Sequence, residues 1–155
     1  MKSGSAEIFS SEPFSRKESQ LRRKTDSNNP ADWLYIAAED LEDLHARAEQ
    51  ELGYAMGRSK LAGVLEKVLK AELIRIGWIL EKTHDLAKLH EVLNQHSPEL
   101  APNAVTLCDE LAEAYFTDRY PGFDLEEPDW PKLRALVKAI EELLAVVKAR
   151  LPAGN

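Results

Sequence analysis

The sequence predicts an all-α protein: an up-and-down antiparallel bundle of four main helices, the third one broken. Apolar residues recur at three- and four-residue steps through most of the chain after Pro30, which is the period of a helix with one buried face. No alternating strand pattern of useful length and no internal repeat occurs. Proline and glycine fall where successive stripes end, as turn punctuation should.

The elements follow in order. Residues 1–29 are rich in Ser, Asn and charge, and Ile8, Phe9, Phe14 and Leu21 are too scattered to build a core. They read as a flexible polar tail, with a short helical turn allowed near Lys17–Arg23, and residues 30–151 read as the bundle. Trp33, Ala37, Leu41, Leu44, Ala48 and Leu52 define the first helix, with Gly53 and Gly57 bracketing the break after it. Leu61, Val64, Leu65, Val68, Leu69, Leu73 and Ile76 make a wider stripe, which suits a central helix that Gly77 stops. Leu86, Leu89 and Leu93 give a short helix capped at Thr83 or His84-Asp85. Ser97-Pro98 and Ala101-Pro102 interrupt it before a longer helix through Leu100 or Ala104, Leu107, Leu111, Ala114 and Tyr115. Pro121, Gly122, Pro128 and Pro131 mark a long loop, Pro131 already fitting the first turn of the last helix. That helix carries Leu133, Leu136, Val137, Ile140, Leu143, Leu144, Val147 and Leu151. The first and last stripes look wider than one neighbour requires, so a homodimer is expected.

Composition narrows the functions. The chain of 155 residues is one domain's worth, with 30% charged residues and a net charge of −7. Residues 1–30 stand at +2 and the remainder at −9, so the body is a poor general nucleic-acid binder. Arg22-Arg23-Lys24 could touch RNA or an acidic partner, or simply be solvated. No run approaches the length of a membrane span, and Met1–Ser11 lacks the order of a signal peptide. One cysteine, Cys108, allows no internal disulfide and fits a reducing, cytoplasmic setting. On the apolar side of its helix it reads as a buried inert thiol rather than a nucleophile.

There is no GxGxxG, no P-loop and no HExxH, and no cofactor is expected. His84, His90 and His96 are spaced by six residues, about 240° around a helix, so they cannot converge on a metal from one helix. They read as surface histidines. Three strings remain. Glu66-Lys67-Val68-Leu69-Lys70-Ala71 contains a favourable i,i+4 ion pair. Lys82-Thr83-His84-Asp85-Leu86 reads as a helix cap, and Asp118-Arg119-Tyr120-Pro121 reads as a helix terminus with an anchoring Tyr.

Taken in order, Glu66-Lys67-x-x-Lys70-Ala71, Thr83-His84-Asp85-Leu86 and Arg119-Tyr120-Pro121 resemble the HEPN family, the domain named for higher eukaryotes and prokaryotes nucleotide-binding. Trp33-Leu34 followed by Ala38-x-Asp40-Leu41 fits the family's first helix, and the resemblance covers roughly residues 31–150. It implies an all-helical bundle, commonly dimeric. It further implies either a partner of a minimal nucleotidyltransferase in a toxin–antitoxin-like module or a metal-independent endoribonuclease. The nuclease hallmark is Arg, four to six residues, then His. None of the nine arginines here has it: Asp124, Leu125 and Glu126 stand in the window after Arg119.

The expected function is therefore a HEPN-like binding module, binding a nucleotide or partnering a minimal nucleotidyltransferase. The alternative is an endoribonuclease toxin using His84 with Arg119. Lys67, Lys70, His84, Asp85 and Arg119 are the candidate ligand-binding residues. His84 begins a helix, where the dipole favours anions. Arg119 can grip a phosphate bidentately, one of Lys67 and Lys70 can line the same groove, and Asp85 orients the imidazole or caps the helix.

Overall fold

The computed structural model describes residues 27–114 and 127–152. The tail up to Asp26 and the stretch from Tyr115 to Glu126, with Phe116, Asp118, Arg119, Tyr120, Pro121 and Gly122, lie outside the described residues. Among the described residues there are five helices and no strand: α1 (Pro30–Gln50), α2 (Tyr54–Arg75), α3 (Leu86–His96), α4 (Ala101–Leu111) and α5 (Trp130–Ala149). The broken third region is thus α3 and α4, eleven residues each.

Each start has a local cause. The Asn29 side chain accepts from Ala31 N–H, with Pro30 opening α1. Asp85 and Asp129 do the same for Lys88 and Lys132 at the starts of α3 and α5. Pro131 sits in the first turn of α5, as its ring allows. Ser97-Pro98 ends α3, whereas Pro102 stands in the first turn of α4 and opens that helix instead of interrupting it.

The ends are as specific. At the end of α2, Gly77 takes φ 100°, its N–H bonds Ile74 O, and Trp78 N–H bonds Leu73 O. These two bonds form a Schellman cap. The end of α1 departs from expectation. Its left-handed residue is Glu51 (φ 54°), followed by Gly53 (φ 63°) at the N-cap of α2. Gly57 does not bracket the break. It lies buried inside α2, where a Cβ would meet Leu44 and Leu133 side chains at 3.9 and 3.5 Å. It marks a close approach of three helices.

α2 is the central helix. Leu61, Val64, Leu65, Val68, Leu69 and Leu73 are all fully buried, and neighbours pack on several sides of α2, so that even Arg58, Glu66, Lys70 and Glu72 on it are buried. Ile76 is 37% exposed, because it is already the cap residue. On α1, Leu34, Ala37, Leu41, Leu44 and Ala48 form the buried stripe, with Trp33 half-buried at its edge. Leu52 lies beyond the helix and is 54% exposed. On α5 the expected stripe is buried, with Leu144 partly so; Leu151, also partly buried, lies beyond the end of the helix.

Side-chain bridges give the directions. Trp33, early in α1, meets Lys70, late in α2, so these helices are antiparallel. Arg134, early in α5, donates to Ala48 O at the end of α1, and Lys132 pairs with Glu110 at the end of α4. Arg58, early in α2, donates to Glu110 O. Hence α1 against α2, α2 against α4, α4 against α5 and α5 against α1 all run antiparallel.

Candidate functional site

The expected site residues divide between two elements. Lys67 and Lys70 come from α2, and His84 and Asp85 from the segment entering α3. Glu66, an ion-pair residue by its spacing from Lys70, joins them. Its Oε2 accepts from Lys70 Nζ at 2.9 Å and its Oε1 from His84 Nδ1 at 2.9 Å. The spacing of Glu66 and Lys70 puts both on one face of α2, and the turn after the Gly77 cap carries the chain back so that His84 meets that face.

Burial grades sharply across the cluster. Side-chain exposure is 4% for Lys70 and 10% for Glu66, but 54% for His84. A buried ammonium needs a partner, and Lys70 has two: the Glu66 carboxylate and the face of Trp33, whose ring centroid lies 5.6 Å from Nζ. Trp33 is held in turn by its indole N–H donating to Ser27 O at 2.8 Å. An ionised carboxylate only accepts, so Nδ1 of His84 carries the proton in this pair.

The remaining candidates are not gathered so closely. Asp85 Oδ1 accepts from Lys88 N–H, so Asp85 caps α3, and Glu66 is the carboxylate on the imidazole. Lys67 reaches across to Asp40 of α1 at 3.8 Å. Arg119 lies outside the described residues. Of the other histidines, His96 is exposed in the last turn of α3, while His90 is half-buried and donates from Nε2 to Ala101 O at 3.1 Å. His90 thus braces the α3–α4 turn. Among the described residues no group of His, Cys, Asp and Glu could hold a metal ion. Burial, with Asp109 adding to it, pushes the Cys108 thiol up to about 12, a proton too tightly held for a nucleophile at neutral pH.

A second polar cluster was invisible in the sequence. Glu72 is fully buried, takes hydrogen bonds from Arg75 Nε (3.0 Å) and Ser97 Oγ (2.6 Å), and faces Arg150 at 3.5 Å. Burial pushes its carboxyl up, but Arg75, Ser97 and Arg150 together outweigh burial and hold it below the ordinary value. It joins the ends of α2, α3 and α5, and functions as a structural tie.

Open grooves lie elsewhere. One of about 440 Å³ runs between α4 and α5 beside Leu107, Leu136, Ala139 and Leu143, and one of about 580 Å³ lies between the start of α1 and the end of α5. Two more flank Asn28 and Ile74. Lys67, Lys70, His84 and Asp85 line none of these four.

These features define a class: an all-helical bundle whose central helix carries a buried carboxylate joining a lysine to a rim histidine. The family is more specific. The chain belongs to the HEPN domain family, whose model matches residues 30–150. No curated protein and no solved structure matches it. Among the described residues no helix is long and apolar enough to cross a membrane.

Proposed function

We propose that this HEPN domain is a binding module for a nucleotide or RNA phosphate, acting as a homodimer beside a minimal nucleotidyltransferase in a toxin–antitoxin-like module. One observation carries the reading: Glu66 links Lys70 and His84, residues from two of the strings that resemble the family, into a single cluster with the imidazole at the solvent edge. The absence of the Arg-x4–6-His hallmark favours binding over cleavage. Arg119, from the third string, supplies the phosphate grip in this reading. Exposed Tyr35 and Ile36 on α1 and Val146 on α5 support self-association. Light scattering at micromolar concentration should then give twice the 17.4 kDa monomer mass.

The test is a titration of wild type and Arg119→Ala with ATP, GTP and short RNA, with melting curves alongside. Arg119→Ala should weaken binding by about 1.5–3 kcal/mol and leave thermal stability nearly unchanged. A stability loss in a protein that binds none of these ligands would make Arg119 a structural residue and end the nucleotide reading.

A further inference from the structure

Glu66 touches both the buried and the exposed member of the cluster. Its two oxygens are divided: Oε2 takes Lys70 Nζ and Oε1 takes His84 Nδ1, both at 2.9 Å. The carboxylate is nearly enclosed, and Lys70, held between it and Trp33, anchors it. A side chain fixed in this way dictates the state of the more mobile partner. Since a carboxylate can only accept, the neutral imidazole must carry its proton on Nδ1.

We propose that Glu66 is the positioning residue of this site: it fixes the orientation and tautomer of His84. That the site takes a ligand rests on the nucleotide reading above.

The substitution Glu66→Gln tests this without changing shape. Lys70 donates only, so the new amide must turn its oxygen to Lys70 and its NH2 to the imidazole. Nδ1 then has to accept, and the proton of the neutral ring moves to Nε2. The full chain is labelled with nitrogen-15, and two-bond imidazole spectra are recorded without ligand for wild type and Glu66→Gln. The same proteins are then titrated with ATP, and their melting temperatures are measured. Neutral His84 should carry its proton on Nδ1 in wild type and on Nε2 in the variant, and ATP should bind the variant at least fivefold more weakly.

The proton on Nε2 in wild type overturns the proposal, and this holds even if the variant does not fold. So does a tautomer unchanged by Glu66→Gln, or equal ATP affinity in the two proteins. If wild type binds no ATP, GTP or short RNA while the spectra come out as expected, the nucleotide reading fails and Glu66 retains only its hold on His84.

Discussion

At the residue scale, backbone conformation at the two ends of α1 and α2 makes opposite predictions. Gly77 (φ 100°) has open space where a Cβ would go, so Gly77→Ala is penalised by backbone strain alone, about 1 kcal/mol. Glu51 (φ 54°) bears the strain that a glycine avoids, and its carboxylate meets Arg134 only at 3.5 Å with both side chains well exposed. Glu51→Gly should therefore be neutral to stabilising, by up to about 1 kcal/mol. Urea melts of both variants, with unchanged slope and midpoints moving in opposite directions, are the expected result. Loss of stability in both would mean that the Glu51 side chain matters more than its backbone.

At the element scale, the central place of α2 has a direct energetic consequence. Leu69 is fully buried, so Leu69→Ala should cost about 2–5 kcal/mol in the same urea experiment. A loss below about 1 kcal/mol would move α2 to the periphery. The helical order, the central α2, the Gly77 stop and a cap within Thr83–Asp85 were all legible in the sequence, because periodicity and capping are local; which residue of the three caps was not. What failed was also local in appearance but decided by packing. Gly57 resembled a breaker, yet it is a contact point for Leu44 and Leu133 from two other helices. Leu52 continued the spacing of α1 in register after the backbone had already turned at Glu51. Leu34, one step from Trp33, took the core position because the indole turned to Ser27 O and Lys70. In the site, the strings around Lys70 and His84 stood out, but that Glu66 binds both could not be read, since eighteen residues separate it from His84.

For the whole molecule, the Glu72 tie links the ends of three helices and contributes to the acid limb of stability. Its folded carboxyl sits below the ordinary value of 4.5, so its contribution is complete above that pH and is lost as the pH falls through the lower folded value. Glu72→Gln should flatten the fall in melting temperature below about pH 4.5 and cost about 1.5–3 kcal/mol at neutral pH. An acid limb unchanged by the substitution would assign acid lability to other carboxylates. The negative body bears on the proposed function too: its general field repels phosphates, so the proposed nucleotide binding would have to come from a local site. The most direct measurement is a backbone amide spectrum of the full chain titrated with ATP. Nucleotide binding at the cluster predicts saturable shifts concentrated around Glu66, Lys70 and His84–Asp85. Shifts confined to the α4–α5 groove beside Leu107 and Leu143, or no saturable shifts at all, would contradict it.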